Sequence, residues 1–415
     1  DARSALWNQA FKNPTTFRSR LQIALACRWL RDVDDLLHYG AQRSLEPDAA
    51  LRQRIQEVKS GLGPMKDLIE VAWHNEHEKD LLCLRGGSLQ PYMEAPDQKT
   101  VEFFVPTAFF AHDDSEKPTY STVRAMFSRC FEVLRERRDV VLVPRLQLNW
   151  RKCQPRLEHL VFSYHTHGEH DLRHLHVQES TLSGRCSVDH AGFAGFASIA
   201  RDFAPIDALP EDAATHARTQ RFLNESFVKK NVSKYQQTAP SDTIKGRYVF
   251  VAMQISTDIV AQLAHIDGLS LLRQTVRHFA NSETKVVVKR HPYCRSIVVS
   301  EAIDELVQSG EIQMAQGSIH QLIRGADAVV TVNSGVGLEA LMHEKPVIVT
   351  GDCEYAYAAT QCRDAQELKA ALDDIQHAPA RTRRFLHYYW NQYTLDPANR
   401  ESLAKRLDRW VCSEI

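Results

Sequence analysis

The chain has 415 residues, a formal net charge of -1 and a charged fraction of 25%. This length exceeds one ordinary domain, so we expect two domains that each bury a core of their own. The near-neutral charge offers no basic field for a nucleic acid, and we expect no nucleic-acid partner. No apolar stretch approaches the roughly 18 residues that a membrane-spanning helix needs.

The nine cysteines are scattered along the chain, and no two of them form a C-x-x-C pair. An odd number without such spacing argues against a zinc site and against a secreted disulfide framework. We therefore expect reduced thiols in a cytoplasmic protein.

The first 140 residues read mainly as helix. Apolar residues at three- and four-residue spacing predict helices at Phe17–Tyr39, Leu51–Ser60 and Thr122–Arg138. Runs of β-branched and aromatic residues predict strands at Val101–Phe110, Val140–Pro144 and Leu160–Tyr164.

The stretch from Asp202 to Gly246 changes in composition. It begins with prolines, acidic residues and alanines, contains a polar helix near Thr219–Tyr235, and ends in the polar segment Thr238–Lys245. Such a stretch is typical of a domain boundary, which we place near Gly246. The predicted domains are residues 1–245, residues 246–380 and a C-terminal helical segment, residues 381–415.

Beyond Gly246, predicted strands and helices alternate regularly. Runs rich in Val and Ile predict strands at Tyr248–Ile255, Lys285–Lys289, Glu311–Ala315, Ala328–Val332 and Pro346–Thr350. Amphipathic spacing predicts helices at Ser270–Ala280, Ser300–Ser309, Ile319–Arg324, Val336–His343 and Ala365–Ile375. This alternation indicates an α/β fold with a parallel sheet covered on both faces. Two further helices, about Arg381–Tyr393 and Pro397–Cys412, are expected to cross back to the first domain.

Ligands of such sheets bind beyond the carboxyl ends of the strands, so the residues there are the candidate site. Asp258 follows the first of these strands, within Gln254–Asp258. It could be a functional acid or only the N-cap of the next helix. Lys289, Arg290 and His291 leave the second strand together, and such a group suits a phosphate, although it could be an ordinary basic loop.

A third candidate, Asn333–Glu339, follows the strand at Ala328–Val332. Its small residues open a helix and could present backbone N–H groups to an anion. The glycines could equally serve close packing. Glu339 could accept from ribose hydroxyls or be a solvated helix acid.

Together these segments resemble motifs of the bacterial capsule polysaccharide synthesis family, which includes retaining β-Kdo transferases. The resemblance is carried by Val330–Leu341 with Lys345–Val347, Phe250–Gln254 with Asp258, His291–Pro292, Ser318–His320, Ser187–Phe196 and Glu179–Ser180. It covers about Tyr164–Phe196 and Tyr248–Tyr393. Met253 stands where the family has a small residue.

The resemblance implies a GT-B-like fold, with two Rossmann-like domains and a C-terminal helix pair crossing back to the first. The donor, CMP-β-Kdo, would bind the second domain, and the first would present the acceptor of a bacterial surface polysaccharide or glycolipid (lipopolysaccharide, for example). Asp258 would be the nucleophile of a double displacement, and His291, Lys289 and Ser334 would stabilise the leaving phosphate. Further donor contacts are expected from Gln254, His320, Asn333, Gly335 and Glu339.

The base that deprotonates the acceptor would come from the first domain. Glu179 is the candidate, beside Asp189, His165 and His167, and Asp189 could instead shape a turn. The imidazole-rich run Tyr164–His170 matches no metal-ligand spacing. We expect no metal and no cofactor other than the CMP-sugar donor.

The helix at Arg381–Tyr393 is basic and aromatic, which favours packing across both domains over contact with a membrane surface. A lipid-linked glycan acceptor would make peripheral contact with the inner face of the inner membrane useful. Two other functions remain open: an inverting CMP-sialic acid transferase and a non-catalytic scaffold of polysaccharide assembly.

Overall fold

The structure is a computed structural model that describes residues 13–26, 30–61, 65–77, 80–106, 119–147, 158–237 and 244–413. The chain forms two compact units. The first consists of the described residues up to Thr166, together with Leu172–Val177 and the residues from Pro397 onward. The second consists of His167–Asp171 and Gln178–Asp396. The predicted domain limits at residues 245 and 380 stay predictions.

The first unit contains a mixed sheet with helices. Its helices are α1 (Pro14–Ala26), α2 (Leu30–Ala41), α3 (Ala49–Gly61), α4 (Met65–His77), α5 (Thr119–Arg135) and the last helix of the chain, α14 (Arg400–Val411). Its strands are β1 (Leu82–Arg85), β2 (Ser88–Pro91), β3 (Lys99–Pro106), β4 (Val140–Gln147), β5 (Leu160–Tyr164) and β6 (His174–Glu179), whose last two residues belong to the second unit.

Strands β6, β5, β3 and β4 run parallel in that order, and the antiparallel hairpin β1–β2 continues the sheet beyond β4. Aromatic side chains fill one face, where the rings of Phe103 and Phe162 stack with centroids 4.7 Å apart. Phe127 of α5 packs edge-on against both. On α4, the Asn75 amide donates to the Pro144 carbonyl at 2.8 Å and so ties that helix to β4.

Several predicted elements of this unit differ in the structure. The predicted helix Phe17–Tyr39 is two helices, α1 and α2, and residues 27–29 lie outside the described range. The strand predicted at Val101–Phe110 is described only to Pro106. The β1–β2 hairpin was not predicted, because β2 is mostly exposed and carries little apolar pattern. Its turn, Gly86–Gly87, has φ of 55° and 80°. A Gly-Gly pair is a known hairpin signal that could have indicated it.

The second unit holds the predicted regular alternation. Its strands are β7 (Cys186–Asp189), β8 (Tyr248–Ala252), β9 (Lys285–Lys289), β10 (Gln313–Met314), β11 (Ala328–Thr331), β12 (Val347–Val349), β13 (Thr360–Gln361) and β14 (Thr394–Leu395). Its helices are α6 (Ala204–Asp207), α7 (Ala213–Leu223), α8 (Gly268–Phe279), α9 (Ile297–Gln308), α10 (Ile319–Gly325), α11 (Val336–Met342), α12 (Ala365–Asp373) and α13 (Pro379–Tyr388).

Six strands form an all-parallel sheet in the order β10-β9-β8-β11-β12-β13. In chain order this is 3-2-1-4-5-6, the Rossmann arrangement, in which the strand order reverses between β8 and β11. Successive residues of β8 alternate between two cores, because side chains of a strand point to opposite faces. Phe250 belongs to the core with α10, α11 and α13, whereas Val249 and Val251 belong to the core with α8, α9 and α12.

The predicted α/β class with two Rossmann-like sheets is thereby confirmed. Of the predicted C-terminal pair, α13 belongs to the second unit and α14 to the first, as expected for a chain that returns. The predicted helix Thr219–Tyr235 is wrong in its last part. Helix α7 runs into a single π-helical turn, Asn224–Val228, and Asn231 then adopts a left-handed φ of 55°. Residues 231–237 are therefore an irregular segment.

Candidate active site at the switch point of the second sheet

Two predicted residues, Gln254 and Asn333, meet where the strand order reverses. The Gln254 amide donates to Asn333 Oδ1 at 2.8 Å, and the Asn333 backbone N–H donates back to Gln254 Oε1 at 3.2 Å. The Asn333 amide also donates to the carbonyls of Val260 and Asp352. Both side chains are thus engaged in joining the loops after β8, β11 and β12. They shape the crevice rather than offer free groups to a ligand.

Asp258 lies at this rim. It is exposed and caps the short helix Ile259–Leu263 by accepting from the Val260 N–H at 3.3 Å. The N-cap interpretation is therefore correct. It does not exclude a chemical role, because this single long bond leaves most of the carboxylate's acceptor capacity unused.

His291 follows β9, and the charge of Asp258 acts on its imidazole. Burial lowers the pKa of the His291 imidazole, while the Asp258 carboxylate raises it and the Lys234 ammonium lowers it further. His291 Nδ1 accepts from the Tyr293 backbone N–H at 3.2 Å. The neutral ring therefore carries its proton on Nε2, which is left as a donor. The predicted carboxylate therefore lies within electrostatic reach of the predicted imidazole.

The turn after β11 is shaped by close packing. A Cβ on Gly335 would lie 2.5 Å from the Thr181 hydroxyl, so this position needs glycine to admit the segment that follows Glu179. The Ser334 carbonyl accepts from the Tyr355 hydroxyl and from the Gly337 N–H. The packing interpretation of these glycines is supported. Ser334 is half-buried, and its hydroxyl oxygen accepts a hydrogen bond from the Val336 N–H at 3.4 Å.

Glu339 is not a solvated helix acid. Its side chain is 3% exposed, and its Oε1 is buried without a hydrogen-bond partner among the described residues. Burial raises the Glu339 pKa to about 7, against the opposing effects of the Ser233 hydroxyl and the Lys289 ammonium. Burial also lowers the Lys289 pKa, which Glu339 raises. A buried carboxyl with an unused oxygen is a candidate acceptor for a ligand hydroxyl.

His320 does not face the crevice. It is 1% exposed, its Nε2 donates to the Val232 carbonyl at 2.8 Å, and its Nδ1 lies 3.0 Å from His343 Nε2. Close by, the Ile319 N–H donates to Gln237 Oε1 at 2.8 Å, and the Ser318 hydroxyl bonds Asn231. The start of α10 therefore holds the irregular residues 231–237, which we call the Lys234 segment.

The Lys234 segment carries a cation that the sequence analysis did not select. Lys234 Nζ lies 3.8 Å from the Glu179 carboxylate, and the lysine side chain is 26% exposed. Burial alone would lower the Lys234 pKa, but Glu179, Tyr235, Glu354 and Asp258 together raise it. The next residue, Tyr235, packs edge-on against His291 with ring centroids 5.5 Å apart. Lys234 was missed because it lay within a predicted polar helix, where a lysine carries no signal.

Glu354 was also missed, although it follows β12 at the same end of the sheet, where the strand-end rule could have indicated it. Its side chain is 9% exposed and accepts from the Tyr389 hydroxyl at 2.8 Å. The Tyr389 hydroxyl also lies 2.9 Å from the Ser180 hydroxyl, next to Glu179. Burial raises the Glu354 pKa to about 7, while Tyr389 and Lys234 lower it and Asp189 raises it.

Of the other candidate bases, Asp189 is occupied. It is 2% exposed, and its carboxylate accepts from the N–H groups of Ala191, Gly192 and Ser198 and from the Ser198 hydroxyl. It therefore shapes the turn. His167 stacks on Phe196 with ring centroids 3.8 Å apart, and His165 belongs to the first unit.

The basic helix α13 forms hydrogen bonds and an ion pair within the second unit. Arg384 donates to the carbonyls of Ile206, Asp207 and Leu209, and Arg383 pairs with Glu344 at 2.5 Å. These contacts support packing over a membrane-facing role for the two guanidinium groups. In the described part of the chain, no helix has the length and apolar character to cross a membrane. Nor do three or more metal-ligating side chains gather there in a group that could hold an ion.

The second unit is thus a Rossmann-type α/β domain with carboxylates, an imidazole and lysines at its switch point. Residues 208–395 match the family described as capsule polysaccharide biosynthesis protein. This match covers less than half of the chain and agrees with the resemblance found in the sequence motifs.

The chain is also similar to several individual proteins. The chain is 32% identical to Protein FixF of Sinorhizobium fredii over 196 residues, which are 43% of this chain and 46% of that protein. The chain therefore spans under half the length of this relative. Among solved structures, it is similar to Thermosulfurimonas dismutans KpsC, beta Kdo 2,7 transferase (13% identity, TM-score 0.43, covering 75% of this chain and 100% of the other). It is also similar to KpsC, beta Kdo 2,4 transferase, of the same organism (14% identity, TM-score 0.46, covering 75% and 98%).

Proposed function

We propose that this chain is a retaining glycosyltransferase that moves β-Kdo from CMP-β-Kdo to a saccharide acceptor of a bacterial surface polysaccharide or glycolipid. The observation that carries this proposal is the electrostatic coupling of Asp258 and His291 at the switch point of a Rossmann sheet. A carboxylate and a neutral imidazole donor placed together there suit a nucleophile and a leaving-group partner.

In the first step, a carboxylate oxygen of Asp258 bonds to the anomeric carbon of the sugar. The bond from that carbon to the phosphate oxygen breaks, and CMP leaves with the electron pair. The Nε2–H of His291 donates to the phosphate oxygen as its charge develops, and Lys289 and the Ser334 hydroxyl supply further stabilisation. Glu339 accepts a hydrogen bond from a hydroxyl of the nucleotide.

In the second step, the acceptor hydroxyl oxygen attacks the anomeric carbon and displaces Asp258. Two inversions restore the original configuration. Glu179 takes the hydroxyl proton as general base. Its carboxylate suits this role because it is 12% exposed and lies 3.8 Å from the Lys234 ammonium, within the same cluster of charged groups.

The test is mass spectrometry of the protein after incubation with CMP-Kdo without acceptor, combined with an assay of CMP release. We expect a sugar adduct on the peptide that contains Asp258, and we expect Asp258→Ala to lose both the adduct and turnover. Asp364→Ala is the matched control. Asp364 is another exposed N-cap acid of the second unit, at the start of α12, so its loss removes a helix cap but leaves turnover intact.

Two outcomes would replace the proposal. Turnover of CMP-sialic acid with inversion and no adduct would favour the inverting transferase. Binding of CMP without turnover of either donor would favour the non-catalytic scaffold.

A further inference from the structure

The Lys234 ammonium group has unused hydrogen-bond donors. Its nearest anionic neighbour, Glu179, is 3.8 Å away, and Nζ forms no hydrogen bond to any residue that the structure describes. An ammonium has three N–H donors. The side chain is 26% exposed, so a ligand can reach it.

The surroundings of Lys234 are acidic. Glu179, Glu354 and Asp258 all act on the ammonium electrostatically. The two that line the proposed reaction, Asp258 and Glu179, would repel an anionic sugar because like charges at short range are unfavourable. Glu354 adds less repulsion, since burial raises its pKa to about 7 and part of this carboxyl is uncharged near neutral pH.

The other cations near the crevice have different partners. Lys289 Nζ donates to the Gly317 carbonyl and lies in the field of Glu339. Arg290 donates to the carbonyls of Cys294 and Ser296. Lys234 differs from Lys289 in that its ammonium has no hydrogen bond to a described residue and lies in the field of Asp258.

We infer that Lys234 binds the carboxylate of an acidic sugar donor and selects such donors over neutral nucleotide sugars. This inference rests on the proposed transfer at the same site. A sugar whose anomeric carbon bears a carboxylate brings that charge next to the attacking Asp258. The ammonium of Lys234 offsets the repulsion and orients the sugar through hydrogen bonds.

The position of Lys234 is fixed from outside the crevice. The N-cap and first two residues of α10 donate hydrogen bonds to Asn231, to the Val232 carbonyl and to Gln237. Such anchoring on both sides of the lysine reduces the conformational freedom that binding would otherwise have to remove.

The experiment compares two ligands that differ by the sugar acid. The dissociation constant of CMP and the KM for CMP-Kdo are measured for wild type, Lys234→Met, Lys234→Arg and Lys230→Met. Lys230 is an exposed lysine of the same region and serves as the matched control. We expect Lys234→Met to raise the KM for CMP-Kdo by about 10- to 100-fold, the worth of a hydrogen bond to a charged group, with CMP binding unchanged. Lys234→Arg should recover part of the loss, and Lys230→Met should match wild type.

The inference would be overturned if Lys234→Met raised the dissociation constant of CMP and the KM for CMP-Kdo by the same factor. It would also be overturned if the KM for CMP-Kdo were unchanged. If Lys234→Met does not fold, the double variant Lys234→Met/Glu354→Gln removes the cation together with one of its acidic neighbours and is measured in the same way. Failure of wild type to use CMP-Kdo would instead refute the proposed donor. The comparison then uses binding of CMP and of CMP-sialic acid, whose sugar also carries a carboxylate, and the same two outcomes decide it.

Discussion

Replacing Glu339 with glutamine should change how the stability of the protein depends on pH. Burial raises the Glu339 pKa from its ordinary 4.5 to about 7. The folded protein therefore holds this proton more tightly than the unfolded chain does. That contribution to stability is complete below pH 4.5 and is lost as the pH rises through about 7. A shift of this size corresponds to roughly 3 kcal/mol, at about 1.4 kcal/mol per pH unit.

Glutamine has nearly the same shape and no charge to bury. The substitution also changes the unfolding free energy by an amount that does not depend on pH. This amount cancels when the difference from wild type is compared between two pH values. We expect the unfolding free energy of Glu339→Gln, relative to wild type, to rise by roughly 3 kcal/mol between pH 4.5 and pH 8. Urea denaturation at half-unit pH intervals measures this, with Glu305→Gln on the exposed face of α9 as control. A constant difference over this pH range would refute the reasoning, because Glu339 would then titrate alike in both states.

Two structural predictions accompany this one. Asp189→Ala removes the acceptor of two buried N–H groups and one half-buried N–H group, and should lower the unfolding free energy by roughly 3–5 kcal/mol in urea denaturation; a cost below about 1 kcal/mol would contradict the role given to Asp189. Gly335→Ala places a Cβ 2.5 Å from the Thr181 hydroxyl and should cost about 1–3 kcal/mol, most of which Thr181→Ala should restore; strictly additive effects in that double-mutant cycle would show that the two residues do not clash.

The second sheet was predictable because its pattern is local. Strand β9 at Lys285–Lys289 agrees with the prediction, and the helices differ from it by a few residues at their ends. Continuous Val and Ile runs between amphipathic helices leave few alternatives to a parallel sheet. The rule that ligands bind at strand ends then indicated Asp258 and His291 from the sequence alone.

The interpretation of single residues was less determined by sequence. His320 and Asn333 belong to the recognised motifs, yet the structure uses both side chains to hold loops together. Likewise, Asp189 shapes a turn, and Gly335 admits a neighbouring segment. A motif shows that a residue type is needed at a position, but not whether a ligand or the protein itself needs it.

The sequence by itself determined the α/β class, the order of strands and helices along the second unit, and the sheet edge at which the candidate groups lie. These features follow from periodicity along the chain. Only the tertiary structure brought Lys234, Glu179 and Glu354 together. These residues come from segments far apart in sequence, and one of them lies on an irregular segment whose path is set by bonds to α10. Charge coupling depends on distance in space, which no local pattern encodes.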